Sequence, residues 1–113
     1  MIDEYIRNAR FVKAIDGDTV ELDIDLGLRI WIRQRVRVLG INCPERKGAT
    51  REAGDAAKAA AERWLSHGAD LQVRTKIDKQ EDSFGRVLGD IRRGHESLGS
   101  ALITSGHAVA FNG

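Results

Sequence analysis

The sequence predicts a mainly β domain with two helices (an α+β chain), in which five strands can close into a barrel and one helix sits between strands three and four. Three observations carry that prediction. Apolar and polar residues alternate along Thr19–Leu26 and again from Leu28 to Val38, the period of half-buried strands. An alanine-rich run at helical spacing separates these strands from two later ones. The single proline, Pro44, cannot donate a ladder hydrogen bond and pushes Cys43 towards an extended conformation, so the sheet stops just before that run.

The 113 residues suit one domain, spanning 1–113, with a single modest core. Hydrophobic residues make up 42% and charged residues 31%, a globular balance, and the aromatic share of 5% leaves aliphatics to fill the core. A formal net charge of +1 says little about partners. Arginine dominates the basic set and suits bidentate contacts to phosphate or carboxylate. Cys43 is the lone cysteine, which excludes an intrachain disulfide and fits a reducing compartment. The start, Met1-Ile2-Asp3-Glu4-Tyr5, is acidic and has no apolar signal region. The expected location is therefore cytoplasmic, although a mature secreted form would look the same. No apolar run is long enough to span a membrane, so no membrane partner is expected.

Strand one is expected over Tyr5–Asp16, with Ile6, Phe11, Val12 and Ile15 as apolar surface. Asp16-Gly17-Asp18-Thr19 interrupts it as a tight turn or bulge, with Gly17 accepting positive φ. Strand two, Thr19–Leu26, points Val20, Leu22, Ile24 and Leu26 one way and Glu21, Asp23 and Asp25 the other. Gly27 is the expected turn residue. In strand three Leu28, Ile30, Ile32, Val36 and Val38 share one face, and Trp31, Arg33, Arg35 and Arg37 the opposite one. Gly40 permits a bulge or close approach at its end. Thr50 is the expected N-cap of a helix running to Ser66 or His67, with Ala53, Ala57, Ala60 and Trp64 as its buried stripe and Gly68 stopping it. Strand four is expected over Asp70–Ile77 and strand five over Phe84–Ile91. Ser97 caps a short second helix that turns Leu98, Ala101 and Leu102 inward and ends at Gly106, before an extended tail at Ala108–Phe111. This order suggests a five-stranded antiparallel barrel of the oligonucleotide/oligosaccharide-binding (OB) type. Periodicity alone leaves an open α+β sheet as the alternative.

Five polar residues fall at strand ends in this layout. Asp18 follows a glycine at the start of strand two, Arg37, Asn42 and Glu45 leave the end of strand three, and Arg86 starts strand five. If these ends meet, one mouth holds two carboxylates, an amide oxygen and two guanidinium groups. Oxygen donors without histidine clusters or cysteine pairs favour a hard cation such as calcium or magnesium over zinc. Two arginines beside that cation suit a phosphate whose charge grows in a transition state, and a carboxylate that is not a ligand is placed to orient or deprotonate water. The combination points to phosphodiester hydrolysis.

Val12-Lys13-Ala14-Ile15-Asp16-Gly17-Asp18-Thr19-Val20, Arg37-Val38-Leu39-Gly40-Ile41-Asn42-Cys43-Pro44-Glu45 and Asp82-Ser83-Phe84-Gly85-Arg86 resemble, in that order, three motifs of the staphylococcal nuclease (thermonuclease) family. The resemblance covers about Arg10 to Phe111. It implies an OB-fold barrel and a calcium-dependent nuclease cutting DNA, RNA or both, with magnesium and manganese left open as cations. It implies metal-ligand roles for Asp18, Asn42 and the Cys43 backbone carbonyl. It implies a water-directing role for Glu45, phosphate-binding roles for Arg37 and Arg86, and nucleotide-pocket positions for Phe84 and Phe111. Asn42 stands where the best-known members have a second aspartate, so the site is one negative charge short and calcium affinity is expected to fall. Ser83 stands where a lysine is common, and Phe84 and Phe111 stand where tyrosines are usual, which removes phosphate and hydroxyl contacts.

The other conspicuous residues take simpler readings. Arg33 and Arg35 are expected to form strand-face ion pairs, and Cys43 to be a small packed side chain. Trp31 and Trp64 are expected in the core or at an interface, and His67, His95 and His107 at caps or on the surface. For Arg46, Lys47 and Arg51, contact with a nucleic-acid backbone and a solvated loop are equally compatible with the sequence.

Overall fold

The computed structural model describes residues 4–67, 70–76 and 87–111. Its strands are β1 (Glu4–Asp16), β2 (Thr19–Gly27), β3 (Ile30–Val38), β4 (Ile41–Asn42), β5 (Leu71–Lys76), β6 (Val87–Arg93), β7 (Glu96–Ser97) and β8 (Val109–Ala110). Helix α1 (Arg51–Leu65), preceded by a 3-10 turn at Gly48–Thr50, lies between β4 and β5, and α2 (Leu98–Thr104) follows β7. Strands β3-β2-β1-β5-β6 pair antiparallel in that order, and β6 then pairs with β3 in parallel, Val36–Val38 against Val87–Gly89. This seam closes a five-stranded barrel and decides against the open sheet. The neighbours were expected to be antiparallel throughout; the closing pair is parallel because both strands run towards the same end of the barrel.

The inward residues of each strand fill the barrel. Val20, Leu22, Val36, Val38, Leu71, Val73 and Ile91 are fully buried, joined by Ile41 and by Leu98 and Leu102 of α2. The predicted tail is strand β8, which pairs Val109 with Asn42 and Ala110 with Ile41. The Phe111 amide donates to the Gly40 carbonyl at 2.9 Å. Ser97 caps α2 as expected, its hydroxyl oxygen accepting from the Ser100 amide at 3.1 Å.

Four expectations change. The buried stripe of α1 is Gly54, Ala57, Ala61 and Leu65, with Ala60 and Trp64 at its margin and Ala53 exposed. The run is alanine on adjacent faces, so composition did not choose between stripes one residue apart. Thr50 occupies the N-cap position without capping; its hydroxyl donates instead to the Glu45 carbonyl at 2.8 Å. Gly17 is needed for space rather than for positive φ, since a Cβ there would meet Cys43 Sγ at 2.8 Å and Ala57 Cβ at 2.9 Å. The β2–β3 reversal places Leu28 and Arg29, with φ of 54° and 65°, at its tip after Gly27. Gly68, Ile77 and the predicted start of the fifth strand, including Phe84 and Arg86, lie outside the described residues.

Candidate active site

One end of the barrel carries a cleft of about 490 Å3 lined by Asp16, Asp18, Arg37, Asn42, Cys43, Pro44, Glu45, Arg46 and Lys47. Three local devices build it. The turn after β1 delivers Asp16 and Asp18 two residues apart, and the Val38 amide donates to the Asp18 carbonyl at 2.9 Å, tying that turn to the end of β3. Beyond β3, Gly40 (φ 83°) reverses the chain so that Ile41-Asn42 returns along the cleft. Pro44 then ends the pairing, and the chain carries Glu45 and Arg46 across α1. That crossing requires Gly54, where a Cβ would stand 2.5 Å from the Glu45 carbonyl oxygen.

Asp18 is the electrostatic centre. One carboxylate oxygen accepts the buried Cys43 amide at 2.8 Å and lies 3.7 Å from Arg37 Nη2. Both side chains are only 13% exposed, so their mutual field is poorly screened. Arg37 is fixed by carbonyls: Nη1 donates to Val38 at 2.7 Å, and Nη2 donates to Ile41 at 2.9 Å and to Asn42 Oδ1 at 3.4 Å. The guanidinium is therefore held in one pose before any ligand arrives.

The Cys43 side chain is a buried free thiol. Burial, reinforced by the Asp18 charge, pushes it up to about 12, and its sulfur packs beside Gly17. Arg46 proves to be a fastener: it donates to Asp55 of α1 at 2.9 Å and to the Ile15 carbonyl at 2.8 Å. The Arg46 guanidinium holds the Asp55 carboxyl below its usual value. Lys47 lines the cleft, and Arg51 lies 3.9 Å from Asp55. On the outer face of β3, Arg33 and Arg35 make the expected cross-strand ion pairs, with Asp23 and Glu21.

The structure thus brings Asp18, Arg37, Asn42, Cys43 and Glu45 together. Phe111 is exposed, and β8 beside it pairs with Asn42. Arg86 and Phe84 are outside the described residues. Sequence reasoning missed Asp16 as a cleft residue, reading it only as part of a turn; its signal was its place two residues before Asp18 at the strand end that opens the cleft. As a donor set, Asp16, Asp18, Asn42 and Glu45 offer oxygen alone, which fits a hard cation in kind. Among the described residues no three His, Cys, Asp or Glu side chains converge as a cage. A cation here would take its remaining ligands from main chain, water and a bound phosphate.

Comparison with known proteins gives this end of the barrel its relatives. The chain is 30% identical over 102 residues to a thermonuclease of Staphylococcus hyicus, covering 89% of this chain and 57% of that protein. It is 30% identical over 99 residues to a thermonuclease of Staphylococcus intermedius, covering 87% of this chain and 56% of that protein. The chain therefore spans a little over half the length of these relatives. The family model described as staphylococcal nuclease homologue matches residues 35–112, which include the end of β3, the proline-terminated loop and both helices. On that match, with the closed barrel it accompanies, the chain belongs to the staphylococcal nuclease homologue family.

Proposed function

We propose that the chain is a metal-dependent nuclease of the endonuclease type, hydrolysing phosphodiester bonds of DNA, RNA or both by attack of water at phosphorus. One observation carries the reading: Asp18, a carbonyl-fixed Arg37, Asn42 and Glu45 share a single open cleft at a strand end. The thermonucleases it resembles support it.

Arg37 receives the phosphate. Because its guanidinium is already oriented, little reorganisation is needed as charge develops on the phosphoryl oxygens. Arg86 is assigned as the second phosphate cation. Glu45, whose carbonyl is anchored by Thr50, directs its carboxylate at the attacking water and takes up its proton. Asp18, Asn42 and the Cys43 carbonyl are assigned to a hard cation, calcium first, with Asp16 adding the carboxylate that Asn42 does not supply. Such a cation neutralises phosphate charge when bound. Phe111 and Phe84 are assigned to the nucleotide, as faces on which a base stacks.

Digestion of single- and double-stranded DNA and RNA with calcium, magnesium, manganese or chelator tests this. Cleavage in calcium that chelator abolishes is expected, and Glu45→Gln should lower the rate by about 10² to 10⁴. A second reading, a binding module without catalysis, is favoured by one feature: Arg37 already donates to two carbonyls. Salt-dependent oligonucleotide binding without cleavage in any cation would establish that reading instead.

A further inference from the structure

Glu45 is exposed and stands outside regular secondary structure: β4 ends at Asn42, and the next helical turn begins at Gly48. A carboxylate that directs a water needs a fixed position, so the ties on either side of it decide how well it works. Two of them run to the same turn. Before Glu45, the Cys43 amide donates to the Asp18 carboxylate at 2.8 Å. After it, Arg46 Nη1 donates to the Ile15 carbonyl at 2.8 Å and lies 3.9 Å from Asp16. Residues 43–46 are therefore pinned at both ends against residues 15–18, with Glu45 between the pins.

The second pin also engages α1. Arg46 Nε donates to Asp55 at 2.9 Å. Asp55 directly follows Gly54, whose missing Cβ lets the Glu45 main chain lie against the helix. Thr50 grips the Glu45 carbonyl, but from the helix side alone. The Cys43 amide grips the turn alone. Arg46 does both, using two donors of one planar fork, a geometry that a lysine cannot copy. Arg46 and Asp55 are 36% and 48% exposed, so their pairing adds little to stability. Its weight is in where it holds the chain.

We propose that Arg46 is a positioning residue: by bridging Asp55 of α1 and the Ile15 carbonyl, it fixes Glu45 in the cleft that it shares with Asp18 and Arg37. The role rests on the assignment of Glu45 to the attacking water. Without the bridge, the Glu45 stretch keeps its tie at Cys43 but swings at its other end. The carboxylate then samples positions from which it cannot reach the water, and a misplacement of about 1 Å can cost on the order of 100-fold in rate.

Steady-state cleavage of single-stranded DNA in calcium tests the proposal. Arg46→Ala and Asp55→Ala should each lower kcat by about 10- to 100-fold and change KM by less than about twofold. In a Glu45→Gln background, Arg46→Ala should lower kcat no further, because the group it positions is already disabled. Arg33→Ala removes an Arg–Asp pair of the same 2.9 Å length on the outer face of β3 and should leave kcat unchanged. Backbone 15N relaxation gives a readout that does not need cleavage, and its spectra confirm the fold. The Glu45 amide should be ordered in the wild type and fall to an order parameter below about 0.6 in Arg46→Ala and Asp55→Ala. A wild type that cleaves in no cation defeats the nuclease reading, while the relaxation data still decide whether Arg46 holds Glu45. A raised KM with kcat unchanged would make Arg46 a phosphate contact, and a loss additive with Glu45→Gln would give it a role apart from Glu45. Either result overturns the proposal, as does a Glu45 amide that stays ordered without Arg46.

Discussion

At Asp18 the carboxylate already serves the protein, accepting the Cys43 amide and facing Arg37, so the same group that is assigned to a cation also holds the cleft in shape. Asn42 presents its Oδ1 to Arg37 at 3.4 Å. Asn42→Asp adds the missing charge at that oxygen, and the calcium concentration for half-maximal cleavage should fall by roughly fivefold to tenfold. An unchanged calcium requirement would show that this position does not limit affinity. The Cys43 thiol, raised to about 12, is protonated at pH 8 and should resist alkylation in the native protein while reacting within minutes in denaturant; equal rates in both states would contradict its burial. Most of this cleft was legible in the sequence because Arg37 to Glu45 is one contiguous stretch whose strand parity and terminating proline place its side chains. Asp16 was not, since whether a turn carboxylate faces solvent or a cleft depends on the strand end that packs opposite.

Between elements, two glycines govern how closely α1 approaches the site. Gly54→Ala gains about 1 kcal/mol of helix propensity but drives a methyl group into the Glu45–Arg46 main chain, at a cost of about 1–3 kcal/mol. Stability should fall by about 1 kcal/mol in chemical denaturation. Cleavage should fall tenfold or more, because the displaced backbone carries Glu45. Gly17→Ala meets Cys43 and Ala57 and should cost about 1–3 kcal/mol. At the hairpin tip, Leu28 and Arg29 occupy the left-handed region that favours Asn-Gly. Combining Leu28→Asn with Arg29→Gly should raise the unfolding free energy of the monomer by about 1–2 kcal/mol. Element types and order were legible from periodicity. Which alanine stripe faces the barrel was not, because Gly54 is selected by a loop that arrives from the other side of Pro44.

Across the described residues, β1 and β2 form the long middle of the sheet, while the closing seam shows three residue pairs between Val36–Val38 and Val87–Gly89. No alternation of apolar and polar residues announces such a seam, which depends on two strand ends 51 residues apart in sequence meeting in parallel. The short seam sets an order of opening. The bonds that shape the cleft, Val38 to Asp18 and Cys43 to Asp18, lie wholly within the first half of the chain and do not cross it. Native-state hydrogen exchange should therefore find the Leu39 amide, which donates to Gly89 across the seam, releasing its proton at lower free energy than the Cys43 amide bound to Asp18. Equal protection would mean that seam and cleft open as one unit. If the order holds, the barrel can part along one line and reclose while the carboxylate end of the cleft stays assembled, so partial unfolding and loss of the cleft become separate events.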